Sequence, residues 1–434
     1  MLIHSVLRSL LLAGVAVAVV SSAAIAQGAA SQIVQRVPQG TPLTLRDAIA
    51  RVMEVNPTLI GQKFALTAAD ARRDQAALRP AIEVGLETED IFGTDRLSTF
   101  KDAQVTLQLS TLLELGGKRG KRIGTAERER DLLLTELDAE KLDTVAEVAR
   151  RFIRVVAAQR EVSLAMQSME LATNTRKVVG QRVSTGRGAA VEDRNAEIAL
   201  TRAEIEKSRA ESGVLQVWQS LTAMWGGSSV GTMEAAAELF TLPQLEPLTT
   251  LDAMLQQNPN LVRFASERRV EEAKLRLTES QATPDITVGA GVRRLQTDRS
   301  NAFVLSFSMP LGTGSRSAPY TAEARSKLQQ VEYRERAAQA ELKATLYALH
   351  QEATQRGIEL AVLREKAVPL AEGARELTQS GFNAGRFSLL ELLNSQQQLI
   401  ELQRSAIDTA VAYHNAVIEI ERLTARSATA GIEK

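Results

Sequence analysis

The side chains that could do chemistry are few. The chain has no cysteine, which excludes thiolate metal sites, cysteine nucleophiles, disulfides and an amino-terminal lipid on cysteine. Of its three histidines, His4 lies in the leader, while His350 and His414 have no ligand companions and read as packing or surface residues. No nucleophile elbow, phosphate loop or metal-ligand cluster is present, so no enzyme, cofactor or metal site is expected. The remaining candidates are polar residues following two Gly-Arg pairs. Glu192 and Asp193 follow Gly186-Arg187, with Arg194 a candidate ion-pair partner, and Glu391 and Asn394 follow Gly385-Arg386. The plain reading of these is solvated charge at helix starts, stabilised by the helix dipole.

The elements that position these residues are written twice. Asn56-Pro57 matches Asn258-Pro259, and Pro80-Ala81-Ile82-Glu83-Val84-Gly85 matches Pro284-Asp285-Ile286-Thr287-Val288-Gly289. Thr125-Ala126-Glu127 matches Thr321-Ala322-Glu323, and Gly186-Arg187 matches Gly385-Arg386. An offset this nearly constant indicates duplication with short loop insertions.

Composition narrows the class. His4 and Arg8, the apolar run Leu10 to Val20 and then Ala24-Ile25-Ala26 read as a secretory signal peptide. That run is short for a bilayer span, and no later stretch supplies the ~20 apolar residues one needs. Lys+Arg and Asp+Glu balance at 52 each, which argues against a nucleic-acid partner. Aromatics make up only 4%, favouring long helices packed through Ala, Leu and Val over one large core. Trp218 and Trp225 read as packing anchors.

Helical periodicity covers Leu132 to Val179, Val191 to Met224, Leu251 to Thr278, Ala322 to Thr378 and Leu389 to Leu423, with Pro369 expected to kink or break the fourth. Such lengths suit a coiled coil or helical barrel. Between the helices lie four runs of period two, joined pairwise into hairpins. The expected division is a signal peptide (1–26), an amino-terminal segment (27–44), a first repeat (45–227, strands about 81–90 and 103–110), a linker (228–250), a second repeat (251–426, strands about 285–294 and 302–310) and a tail (427–434).

Each strand run has one apolar and one mostly polar face and approaches the length of a membrane strand. Two soluble hairpins would show the same alternation. The secretion signal, the repetition and the polar second face favour the membrane. Open edges are not tolerated in hydrocarbon, so four strands must be closed by oligomerisation, and only a barrel larger than about eight strands leaves an aqueous lumen. Glu83, Glu87 and Arg293, on the polar parity, are the candidates to face that lumen.

These features resemble the outer membrane factor family, the TolC-like exit ducts of tripartite efflux and type I secretion systems. The likeness covers nearly all of the mature chain, and Glu114-Leu115-Gly116-Gly117-Lys118-Arg119 is similar to the subgroup serving heavy-metal pumps of the resistance-nodulation-division class. One departure is the missing cysteine, since many relatives carry a lipid anchor there. The resemblance implies a mainly α fold with a small transmembrane β-barrel part: a homotrimer whose 12-stranded barrel in outer-membrane lipid continues as a long periplasmic helical barrel. It further implies docking to a periplasmic membrane-fusion adaptor and an inner-membrane proton-driven pump, with the chain a passive conduit.

By the same resemblance, Gly186, Arg187, Gly385 and Arg386 are candidates for the periplasmic tips that meet the adaptor, and Glu192, Asp193, Glu391 and Asn394 for the gate. Asn394 stands where some relatives have Asp, so a full double acidic ring is not implied. A duct for metal ions, drugs or secreted polypeptides fits the sequence, and a periplasmic coiled-coil protein without a pore would explain the helices but not the hairpins.

Overall fold

A computed structural model of the chain describes residues 42–91, 94, 100–227 and 234–425. The expected signal peptide, most of the amino-terminal segment, the tail and parts of the first hairpin loop and of the linker lie outside the described residues.

The two repeats unfold in the same order. In the first, α1 (Leu45–Val55) and α2 (Pro57–Ala76) lead into β1 (Ile82–Glu89) and β2 (Gln104–Leu113), followed by α3 (Lys118–Ser184) and α4 (Ala190–Thr222). In the second, α5 (Leu248–Leu255) and α6 (Pro259–Ser280) lead into β3 (Ile286–Leu295) and β4 (Ser300–Ser308), then α7 (Thr313–Val362), α8 (Val368–Asn383) and α9 (Leu389–Leu423).

Local chemistry sets most of these boundaries. Thr44 and Asp47 close a capping box on α1. Asn56 and Asn258 cap α2 and α6, each followed by proline at the first helical position, where its missing N–H removes no bond. The helix expected over Leu251 to Thr278 is therefore two helices, divided at Asn258-Pro259. The pattern expected over Ala322 to Thr378 is likewise divided: α7 passes through a π-turn (Leu363–Ala367) into α8, whose second residue is Pro369. Proline cannot donate to the preceding turn, and the wider turn accommodates that loss. Pro319 lies near the amino end of α7 without breaking it.

At 67 residues, α3 runs well beyond the expected Leu132 to Val179, a length of about 100 Å. Its first turns, Lys118 to Asp131, are too charged to show apolar periodicity and are held instead by polar contacts at the strand junction.

The four strands form one antiparallel sheet in the order β1-β2-β3-β4. Pairing of β2 with β3 joins the two repeats, and β1 and β4 are left as edges. The register places Val84, Leu109, Ala290 and Leu305 in one row of one face, and Gly85, Gln108, Gly291 and Val304 in the adjacent row of the other. The first face is bare: Val84 is 70%, Leu305 86% and Phe303 92% exposed.

Helix α3 packs on α2, α4, α6 and α9, while α7 packs on α5, α6 and α9. The largest core gathers Val148, Phe152 and Ile153 of α3 with Trp218 and Leu221 of α4 and Ile407 of α9. Trp225 packs at its edge. A second core joins α5, α7 and α9 through Leu251, Leu346 and Ile420.

The stretch expected to be a linker is part of this packing. Leu43 N–H donates to Glu234 O at 2.7 Å and Ala236 N–H to Leu43 O at 2.9 Å, and Leu239 is buried in the first core. His414 Nε2 donates to Leu239 O at 2.8 Å, Tyr413 Oη to Pro243 O at 2.7 Å and His350 Nε2 to Glu246 O at 3.2 Å. Residues 234–247 thus form a belt across the helices, and α5 begins within the expected linker, at Leu248. Carbonyls without a ladder partner need donors from elsewhere, and here the two histidines and a tyrosine supply them.

Candidate functional site

The polar sheet face is built around Arg293. Its Nε donates to Thr106 Oγ1 at 2.9 Å and its Nη1 to Gln104 Oε1 at 3.1 Å, and its Nη2 pairs with Glu89 at 2.9 Å. Glu83 lies opposite Ser110 and Glu87 opposite Thr106, so Glu83, Glu87 and Arg293 share this face. Glu89 is the member that sequence reasoning missed, although the parity of Glu83 and Glu87 extends to it. Gln108 on β2 reaches across β3 to donate to Ser306 Oγ on β4. Gly289 makes that reach feasible, because a Cβ there would fall on the bond. Arg294 lies on the apolar parity, but at the strand end its guanidinium turns to Arg299 O and Asn301 Oδ1 of the hairpin turn.

Where strand becomes helix, the Glu114-Leu115-Gly116-Gly117-Lys118-Arg119 segment fixes the joint. Gly116 and Gly117 both adopt left-handed φ, at 68° and 69°, which glycine adopts without strain. Beyond them Lys118 pairs with Asp285 at 2.7 Å, and Arg122 grips Glu114 through both its terminal nitrogens. Arg119 donates to Ala77 O at 2.6 Å and Arg122 to Leu78 O at 3.3 Å, satisfying carbonyls at the end of α2. The hydrogen bond from Arg122 to Glu114 raises the guanidinium pKa further.

At the opposite end, the α3–α4 and α8–α9 turns use one device. Gly186 and Gly385 have φ of 72° and 75°, and the N–H groups of Arg187 and Arg386 return to Arg182 O at 2.8 Å and Gly381 O at 2.7 Å. Each Gly-Arg pair therefore closes a helix with a left-handed glycine. Between the turns, Arg182 donates to Phe382 O at 2.9 Å with its guanidinium 4.5 Å from the Phe382 ring centroid.

The four gate candidates are not brought to one point. Glu391 closes a capping box on α9: its Oε2 accepts from Ser388 N at 2.7 Å and Ser388 Oγ at 2.8 Å. The Ser388 backbone bond, then its hydroxyl, hold this carboxyl below the ordinary carboxylate range. Asp193 turns to Arg176 at 2.5 Å and not to Arg194, which pairs with Glu197 at 2.9 Å. Glu192 has no such outlet, because the cap residue of α4 is Ala189, and its buried Oε2 has no partner. Glu192 opens on a cavity of about 470 Å³ between α4 and α9, and Asn394 lines the adjoining cavity of about 650 Å³, with Arg202 shared by both.

Among the described residues no group of three or more His, Asp or Glu is placed to hold a metal ion, and no helix is long and apolar enough to cross a membrane. The membrane-compatible surface is the sheet's apolar face.

The sequence profile described as outer membrane efflux protein matches residues 48–227 and 250–426. The chain belongs to this family. It is a family of channels, and its place is the outer membrane, with the long helices extending into the periplasm. Among curated proteins the chain is 28% identical to the cobalt-zinc-cadmium resistance protein CzcC of Cupriavidus metallidurans, over 89% of this chain and 90% of that one. It is 26% identical to the nickel-cobalt-cadmium resistance protein NccC of Alcaligenes xylosoxydans xylosoxydans, over 59% of this chain and 58% of that one. Among solved structures it resembles CusC, with a TM-score of 0.74 at 12% identity, over 88% of this chain and 91% of that one. This family member thus has the TolC-like fold, mostly helical with four antiparallel strands.

Proposed function

We propose that three copies of this chain close their sheets into a 12-stranded barrel and form a passive duct that carries heavy-metal cations from periplasm to exterior. The observation that carries this reading is the sheet itself, with two unpaired edges and one bare apolar face. Open edges are not tolerated in hydrocarbon, and pairing β4 of one copy with β1 of the next removes them all. Exposed apolar residues on the helices support the same closure: Phe64 on α2 and Ile198 on α4, helices that pack on α3, and Leu370 and Leu377 on α8, which packs on α9. Glu83, Glu87 and Arg293 then line the lumen.

The cargo rests on the names of the curated relatives, which are cobalt, zinc, cadmium and nickel resistance proteins. On that reading the partners are a periplasmic membrane-fusion adaptor at the Gly186-Arg187 and Gly385-Arg386 turns, and an inner-membrane resistance-nodulation-division pump that supplies the driving force. Of the gate candidates, Glu192 and Asn394 line the groove between α4 and α9, while Asp193 ties α4 to α3 through Arg176 and Glu391 caps the helix it stands on. The chain performs no reaction of its own.

Gene deletion, with sensitivity measured to cobalt, zinc, cadmium and nickel beside a drug panel, tests the cargo. The expected result is sensitivity to the metals alone, and sensitivity to drugs alone would overturn it.

A further inference from the structure

We propose that the cavity at the junction of α7 and α8 binds a short peptide with free termini. The cavity is a cleft open to solvent with a volume of about 390 Å³, within the range of small-molecule sites. It lies where α7 gives way through the π-turn to α8, and such turns are frequent at functional sites. Its apolar walls come from three directions: Leu164 on α3, Ile407 on α9 and Phe240 on the belt.

The polar groups on these walls specify the ligand. Arg160 is already paired, with Glu238 at 2.8 Å. Among the described residues Arg364 and Glu372 have no ion-pair partner, and Arg364 lies over the Phe240 ring, 4.7 Å from its centroid. A guanidinium held over a ring in this way makes no hydrogen bond to it, which leaves its N–H donors for a carboxylate. Gln403 adds a buried Oε1 with no partner, a position that is unfavourable until a donor reaches it.

A simple anion would engage Arg364 alone and a simple cation Glu372 alone. A zwitterion satisfies both. Two helical turns separate Arg364 from Glu372, about 12 Å along the axis, and an extended tripeptide spans about 10 Å. Its terminal carboxylate meets Arg364, its ammonium meets Glu372, one peptide N–H donates to Gln403 Oε1, and an apolar central side chain fills the walls.

The test is calorimetric titration of the purified full-length protein with Ala-Leu-Ala, its N-acetyl form and its C-terminal amide. Saturable binding of one peptide per chain is expected, weakened about tenfold by blocking either end, as expected for loss of one charged hydrogen bond of about 1.4 kcal/mol. Arg364→Gln should abolish only the discrimination against the amide, and Glu372→Gln only the discrimination against the acetylated form. Absence of saturable binding, or equal binding of all three peptides to the unaltered protein, overturns the proposal without recourse to any variant. End-group discrimination that survives both substitutions overturns the assignment of these residues.

Discussion

Asn258 Nδ2 donates to the carbonyl of Leu423 at 2.7 Å, while its Oδ1 accepts from Asn260 N at 2.7 Å. Asn56 does the same in the first repeat, donating to Met224 O at 2.8 Å and accepting from Thr58 N at 2.9 Å. Each asparagine therefore starts one helix and ends another, tying the entry of a repeat to its exit. The duplicated Asn-Pro pairs are structural joints.

Replacing Asn258 with Ala removes a cap and strands a buried carbonyl, for a combined loss of about 2–4 kcal/mol. Asn56→Ala should destabilise less, because Asn56 is 8% exposed and Asn258 0%. Thermal unfolding of the two variants should show this order, and the reverse order would count against the joint.

The faces of the sheet predict an asymmetry in tolerance. Leu305→Arg places a charge on the bare apolar face near mid-strand, a change of about 2–4 kcal/mol against the bilayer. Val304→Arg, one residue back and opposite Gly291, lies on the polar parity and should assemble. Outer-membrane yield of heat-resistant oligomer distinguishes them, and equal yields would mean that the apolar face does not meet lipid. Gly289→Val should fail for a different reason, through collision with Gln108 and Ser306.

The gate candidates separate by their partners. Glu192→Gln should alter single-channel conductance and its block by divalent cations, since this carboxylate opens on the groove. Glu391→Ala should leave both unchanged and instead weaken the start of α9 by removing the capping-box acceptor of Ser388; conductance is the readout that separates the two variants. Conductance changes in Glu391→Ala alone would reverse this assignment.

Burial holds the His414 imidazole below the ordinary histidine range, against the pull of its bond to Leu239 O. The unfolded chain titrates near 6.5, so the folded state binds fewer protons below that pH. Stability is complete above about pH 6.5 and declines as pH falls toward the lowered folded value. The melting temperature should therefore drop between pH 7.5 and 5.5, and His414→Gln should show a smaller drop.

Much of this was legible in the sequence wherever periodicity is strong. The pattern over Leu389 to Leu423 is α9 with the same bounds, and all four strands fall where alternation places them. The first turns of α3 were not legible, because ion pairs such as Lys118–Asp285 link positions far apart in sequence. The belt was illegible for a related reason. Residues 234–247 have no period of their own and are held by His350, Tyr413 and His414 from helices that follow. Among the site residues, parity predicted the shared face of Glu83, Glu87 and Arg293, whereas the diverging fates of Glu192, Asp193 and Glu391 depend on cap residues and on Arg176, which no spacing rule reveals.

The central claim is that copies of this chain close one another's sheets. Because the chain has no cysteine, engineered pairs report on it without background. Val84→Cys combined in turn with Cys at Phe303, Leu305 or Phe307 places thiols on the two free edges, and a disulfide forms only when Cα atoms approach within about 7 Å. The account predicts that at least one pair yields covalent trimers under mild oxidation in outer-membrane vesicles, with each single substitution remaining monomeric on denaturing gels. Efficient oxidation of control pairs within the sheet, such as Val84→Cys with Leu109→Cys, and no intermolecular product from any edge pair would contradict it.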